Sequence, residues 1–256
     1  MQSTRDAVMK QRPFVVGDVV EIKGKLAEVI DYSNKKKVTL RFMATGYITV
    51  TCSEHIRAGN VKDPLSPTVY GAGVLGVEFN SQNEDMVRKR ILWQGVIRRV
   101  HDPKFLARNP AYSDVTISAE MLYFTDFYRW CCSQKGSTED GWQLDKDILI
   151  KGNREYSFDK CCFVPQSVNK LLTTAKVVRG DTPLGVYITD SGRYKSLITK
   201  GGKAIHLGVY DTIEEAFLVY KREKEGIIRT EADKWKDRLD DKVYNALINW
   251  QVDISD

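Results

Sequence analysis

Turn-forming residues cut this chain into runs too short for anything but small sheets. FVVGDVVEI, AEVIDY, KKVTLRF and YITVTC are rich in β-branched and aromatic residues and are separated by Gly24, Ser33-Asn34 and Gly46. Far downstream GVYIT, GRYKSLIT and KAIHLGVY repeat the pattern, broken by Asp190 to Gly192 and by Gly201-Gly202, a pair able to supply the positive φ of a tight hairpin. Such spacing predicts antiparallel meanders of short strands, not a parallel sheet with crossovers. Between them the period changes. NEDMVRKRILWQGVIRRV places Met86, Val87, Ile91, Trp93, Val96, Ile97 and Val100 at helical spacing, with Arg88, Lys89, Arg90, Arg98 and Arg99 on the outer face. AEMLYFTDFYRWCC reads as a second, buried helix capped by Ser118, and Pro165 opens a short one carrying Asn169. Thr212 with Glu215 is a capping box for IEEAFLVYKREK, and a final helix carries a packing stripe of Trp235, Leu239, Val243, Leu247 and Trp250.

The expected architecture is therefore α+β in three modules: 1–68, 69–180 and 181–256. The first resembles a small β-barrel of the SH3 type, closed by the linker EHIRAGNVKDPLSP. Its hairpin tip Lys35, Lys36 and Lys37 reads equally as a phosphate contact and as a protected sheet edge. In the third module one strand face, Val186, Ile188, Tyr194, Ile198, Ile205 and Leu207, is expected to pack on the helix. The alternate set points out.

Charge and cysteine usage narrow the partners. The chain has 256 residues and a net charge of +5. Residues 1–70 hold 11 basic and 7 acidic side chains (+4), residues 71–180 hold 16 and 13 (+3), and residues 181–256 hold 12 and 14 (−2). A positive bias over the first 180 residues favours a polyanion and is also common on solvated surfaces. No apolar run approaches ~18 residues. The segment MQSTRDAVMKQRPF lacks the apolar core of a secretory signal, so a cytoplasmic location is expected, with no membrane partner. Cys52, Cys131, Cys132, Cys161 and Cys162 are odd in number, which points to reduced thiols. Zinc is the alternative, although adjacent cysteines on one strand point to opposite faces and do not converge.

Two resemblances carry the functional reading. GVY, GRYKSLI and HLGVYDTIEEAFLVY resemble the AP2 DNA-binding domain over some forty residues. The resemblance implies a three-stranded sheet in the major groove of double-stranded DNA, with Tyr187, Thr189, Lys195, Leu197, Thr199 and His206 toward the bases and Arg193 and Lys203 as further DNA contacts. Between Tyr112 and Leu172, YSDVTIS, Trp130, LDKDILIKGN, YSFDKC and FVPQSVN resemble the HNH (ββα-metal) nuclease finger of bacteriophage homing-type endonucleases that carry an AP2 domain. That family places an Asp on Mg²⁺, a His as general base and a helix Asn or His on the metal. Carried over, Asp145 and Asn169 hold Mg²⁺ (or Mn²⁺), Lys146 stands at the His position, Asp147 and Asn153 fall in the turn, and Asp145, Lys146 and Asn153 are the implied catalytic residues.

The substitution matters chemically. Phosphodiester hydrolysis needs a cation to neutralise charge on phosphate and leaving group, and a group that takes a proton from water. Asp and Asn oxygens suit Mg²⁺. A lysine of ordinary pKa, about 10.4, is protonated at neutral pH and two acidic neighbours keep it so. Lys146 thus reads as an unusual base, as a phosphate holder, or as a simple partner of Asp145. The implied activity is metal-dependent nicking or cleavage of DNA. A catalytically inactive DNA-binding protein and a protein-interaction module stand as the other two readings.

Overall fold

The computed structural model describes residues 12–172 and 182–256. The chain forms two compact units, one running to Pro110 and including Leu122–Asp126, the other comprising Ala111–Met121 and Phe127–Asp256. Both mix helix and strand, as the punctuation predicts.

In the first unit β1 (Val19–Ile22), β2 (Lys25–Asn34), β3 (Lys37–Phe42) and β4 (Ile48–Thr51) form an antiparallel sheet in sequential order. No barrel closes among the described residues: β1 and β4 remain edges, so the expected barrel is an open four-stranded sheet. Alternation is what shapes it. Ala27, Val29, Val38, Leu40 and Phe42 point to one face and pack with Ile22, Phe14 and Ile56, the last from the short helix α1 (Ser53–Arg57). A two-stranded ribbon, β5 (Pro67–Val69) with β6 (Gly73–Val74), precedes helix α2 (Glu84–His101) and the short α3 (Pro103–Arg108). Asn83 caps α2 by accepting from Met86 N at 3.0 Å. The helix is rotated from its expected phase: Ile91 is 61% exposed, whereas Lys89 is buried with Trp93, Val96 and Ile97. Positions 89, 93, 96 and 97 share one stripe at helical spacing, and 91 lies on the far side. Its basic face is also partly committed, with Lys89 to Asp85, Arg98 to Asp102 and Arg90 over the Phe79 ring.

In the second unit β7 (Thr116–Ile117) pairs parallel with β9 (Glu155–Tyr156), and β8 (Trp142–Asp145) pairs antiparallel with β10 (Cys162–Pro165), which leads into α5 (Gln166–Leu172). The strand that returns beside β8 is therefore β10, not the segment directly after Gly152-Asn153. Ser118 does not cap a helix. A single 3-10 turn, Glu120–Leu122, follows it, and α4 (Phe124–Ser133) starts later; the Ser118 hydroxyl is buried without a partner. Trp130 on α4 donates to Phe158 O at 3.0 Å and stacks on the Phe158 ring, which fixes the turn before β10.

The remaining elements are β11 (Val186–Ile188), β12 (Tyr194–Lys200), β13 (Lys203–Tyr210), α6 (Ile213–Trp235) and α7 (Asp241–Ile248). The three strands form an antiparallel sheet in order, and both bonds of the Thr212–Glu215 capping box start α6. Gly185 sits at φ +72° with its α-carbon against the Tyr220 ring of α6, where a side chain would collide. A bulge interrupts the β12–β13 ladder: Ser196 faces Gly208 and Leu197 faces His206, so Leu207 is the additional residue. Ile188 is 63% and Ile205 41% exposed although both lie on the packing side of the register, toward opposite ends of the sheet.

One core serves the β10–α5 segment and this sheet together. Ile148, Cys162, Val164 and Val168 pack with Val186, Ile198, Phe217, Ile228, Leu239, Val243 and Leu247. The segments on either side of the expected boundary near residue 180 thus contribute to a shared interior. Lys151 adds a polar tie, donating to Gln251 O at 2.9 Å and to Asp256 Oδ2 at 2.7 Å.

Candidate functional site: a clamped turn and an open sheet face

The turn between β8 and β9 is built by short polar side chains bonding to nearby backbone. Asp145 Oδ1 accepts from Asp147 N at 2.7 Å and from Ile148 N at 2.9 Å, an Asx-type turn that reverses the chain directly after β8. Asn153 closes the other end: Nδ2 donates to Lys146 O at 2.8 Å and to Glu155 O at 2.6 Å, while Oδ1 accepts from Glu155 N at 3.2 Å. Asn153 is thus a turn residue with its amide fully engaged.

Lys146 lies between these two ends and is 7% exposed. Its Nζ donates to Asp147 Oδ1 at 2.8 Å, to Asp147 Oδ2 at 2.9 Å and to Asn153 O at 2.7 Å. An ammonium has three hydrogens and three acceptors take them. The Tyr156 ring, 6.0 Å away, covers one side. Nothing in this arrangement offers a lone pair to water. Lys146 also pairs with Asp147, not with Asp145 as its sequence position allowed.

Asp145 differs from its neighbours. Burial raises its carboxyl above the ordinary value, the two backbone donors pull it back, and the charge of Asp147 raises it further. Its second oxygen, Oδ2, accepts no hydrogen bond among those of the described residues. Asn169 on α5 donates to Gln143 Oε1 on β8 at 2.7 Å, two residues before Asp145 on that strand. Among the described residues no three His, Cys, Asp or Glu side chains gather as a metal-binding group. Cys162 faces Asp145 across the β8–β10 ladder. Burial pushes the Cys161 thiol up to about 12 and that of Cys162 higher still, so both are neutral packing groups.

The sheet presents the opposite situation. Directly facing residues in antiparallel strands share a side, so the pairs Tyr187 with Lys195, Lys195 with Val209, Leu197 with His206 and Thr199 with Ala204 form one continuous face. Val186, Ser196 and Ile198 point the other way and are buried. Tyr187, Thr199 and His206 are exposed and Lys195 partly so. Three other expected contacts sit elsewhere. Thr189 lies past the end of β11 and its hydroxyl bonds the Arg193 backbone, donating to O at 3.0 Å and accepting from N at 3.1 Å. Arg193 Nε donates to Asp211 at 2.7 Å. Lys203 pairs with Lys200 at the free end of the β12–β13 hairpin, on the packing side of the register.

In the other unit, Lys35 to Lys37 form the tip of the β2–β3 hairpin, and Lys35 O accepts from Ser53 N at 2.8 Å. Sequence spacing did not connect Ser53 with this tip, because the contact spans 18 positions. No family model, no curated protein and no solved structure matches the chain.

Proposed function

We propose that the protein binds double-stranded DNA, with the β11–β13 sheet as its reading surface. The observation that carries this is the register: Tyr187, Lys195, Leu197, Thr199 and His206 lie on one exposed face, opposite the helix-packed side. A sheet three strands wide with an ammonium, an imidazole, a phenol and a hydroxyl left to solvent has the donors and acceptors that groove edges require. Lys35 to Lys37 supply phosphate contacts, which position without reading sequence. Binding measured by fluorescence anisotropy on a labelled duplex tests this. With about four to six phosphates engaged, log affinity falls against log salt with a slope of about −4 to −5. A slope near zero removes DNA and favours a protein partner.

A second reading has its own observation. The Asp145 carboxylate is anchored through Oδ1 and has no hydrogen bond at Oδ2 among the described residues, which leaves that oxygen's lone pairs for a hard cation. In that reading the β8, β10 and α5 segment is an HNH-like finger in which Asp145, together with Asn169 and water, would hold Mg²⁺ or Mn²⁺. The ion would stabilise negative charge on a phosphodiester undergoing hydrolysis. Lys146 then acts as the clamp of the turn that orients Asp145, and the base is a solvent species. Supercoiled plasmid incubated with Mg²⁺ or Mn²⁺ gives the test: nicking by the native chain that disappears in Asp145→Ala supports hydrolysis. Binding without nicking in either metal supports a catalytically inactive DNA-binding protein.

A further inference from the structure

We propose that the N-terminal unit carries a phosphate-binding pocket between the β2–β3 tip and α1, formed by Lys35, Lys36, Ser53 and Arg57. The structure places these four residues, with Cys52 and Glu54, around one concavity. Three cations face one carboxylate there, so the lining is net positive and suits an oxyanion. The strongest indication is Ser53. It is 3% exposed, and its hydroxyl has no hydrogen-bond partner. A buried hydroxyl left unpaired is costly and uncommon in a folded protein, and an acceptor entering the pocket relieves it. The backbone holds the parts in place, since Ser53 N donates to Lys35 O at 2.8 Å and locks the tip against α1.

Arg57 is preorganised as well. One of its N–H groups donates to Arg12 O at 2.7 Å and its guanidinium lies 4.9 Å from the Phe14 ring centroid. A guanidinium has five donors, which leaves a fixed fork for phosphate oxygens, while the two lysine ammonium groups supply mobile charge. Glu54 opposes the anion and so limits its affinity. The shared chemistry is a phosphate group, whether free or in a nucleic-acid backbone. The pocket rests on the DNA-binding reading only in the second case.

The test uses the full chain and two probes, inorganic phosphate and a mixed-sequence DNA duplex, each titrated calorimetrically at low salt. Native protein binds phosphate saturably. Ser53→Ala weakens that binding about tenfold, the scale of one hydrogen bond to a charged group, without lowering thermal stability. Glu54→Gln strengthens it. If the pocket takes a backbone phosphate, Ser53→Ala and Lys36→Ala also weaken the duplex and Lys36→Ala reduces its salt slope by about one. If it takes free phosphate alone, duplex affinity is unchanged while phosphate binding still falls. No saturable phosphate binding by the native chain, or equal phosphate affinity in native, Ser53→Ala and Glu54→Gln proteins, overturns the pocket whatever the duplex does.

Discussion

The clamped turn and the open sheet lie in one compact unit, yet they treat their polar groups in opposite ways. At Lys146, Asn153 and Asp147 each donor meets an acceptor within the turn. On the sheet, Lys195, Thr199 and His206 stand on the side turned away from the buried residues Ser196 and Ile198, with Thr199 and His206 exposed. Residues that satisfy one another shape the backbone. Residues left to solvent are available to a partner. By that criterion the sheet is the better candidate surface for a partner, and within the turn Asp145 Oδ2 is left without a hydrogen bond among the described residues.

The largest expected effect attacks what the two regions share. Leu247→Ala, in α7, opens a cavity in the common core and costs about 2–5 kcal/mol in urea unfolding. Because the β8–α5 segment and the sheet pack on the same residues, probes in both lose structure in one transition; separate transitions would break the shared-core view.

Next is the clamp. Lys146→Met keeps the buried stem and removes three hydrogen bonds, at a cost of about 2–3 kcal/mol. Lys146→His is also destabilising, because an imidazole cannot reach all three acceptors, and any nicking falls with it. A rise in nicking would show that the clamp view of Lys146 is wrong.

A smaller change of opposite sign follows for Asp145→Asn. The amide oxygen still accepts from Asp147 N and Ile148 N, and the burial cost of the charge is removed. Stability at neutral pH therefore rises, by up to about 1 kcal/mol. The sign follows from linkage: a carboxyl whose folded pKa is raised contributes stability in full below its unfolded value, and loses it as pH rises through the folded value. The gain from Asp145→Asn accordingly fades as pH is lowered into the carboxylate range. Thermal unfolding between acid and neutral pH reads this, and a variant less stable at neutral pH would contradict it.

On the sheet the effect moves from stability to binding. Lys195→Ala leaves unfolding within about 0.5 kcal/mol of the native chain and reduces the DNA salt slope by about one. Arg193→Ala has the least effect on either measurement, since its ion pair with Asp211 is exposed. A larger loss of DNA affinity at Arg193 than at Lys195 would reverse the assignment of the reading face.

The sequence was legible where structure depends on neighbours a few positions apart. The sheet order of 183–210 and the capping box at Thr212 follow from turn chemistry and helix ends. Legibility failed where distant packing decides. Ile91 looks like a core residue until Trp93, Val96 and Ile97 set the helix phase and turn Lys89 inward. Two helices replace the single stripe from Trp235 to Trp250, because α6 continues from Ile213 to Trp235 and the chain bends before Asp241. The pairing of β8 with Cys162–Pro165 is not legible either, because that segment is an apolar run without alternation and nothing local tells such a run which strand it joins. Lys146 shows the limit at the site itself: an identical D-K-D could hold a phosphate or a backbone, and only Asn153 O, seven residues on, decides it.

The extra residue at Leu207 acts as a frame shift written into β13. Before it, even positions such as Ala204 and His206 face outward; after it, the odd position Val209 does. Any comparison that aligns this strand by simple alternation will assign half of it to the wrong side. Were the same residues to pair without the bulge, Gly208 and Tyr210 would turn out and Val209 in, whereas deleting Leu207 would restore plain alternation and leave the present face intact. The surface offered to a partner is thus set as much by one unpaired backbone position as by the side chains displayed on it.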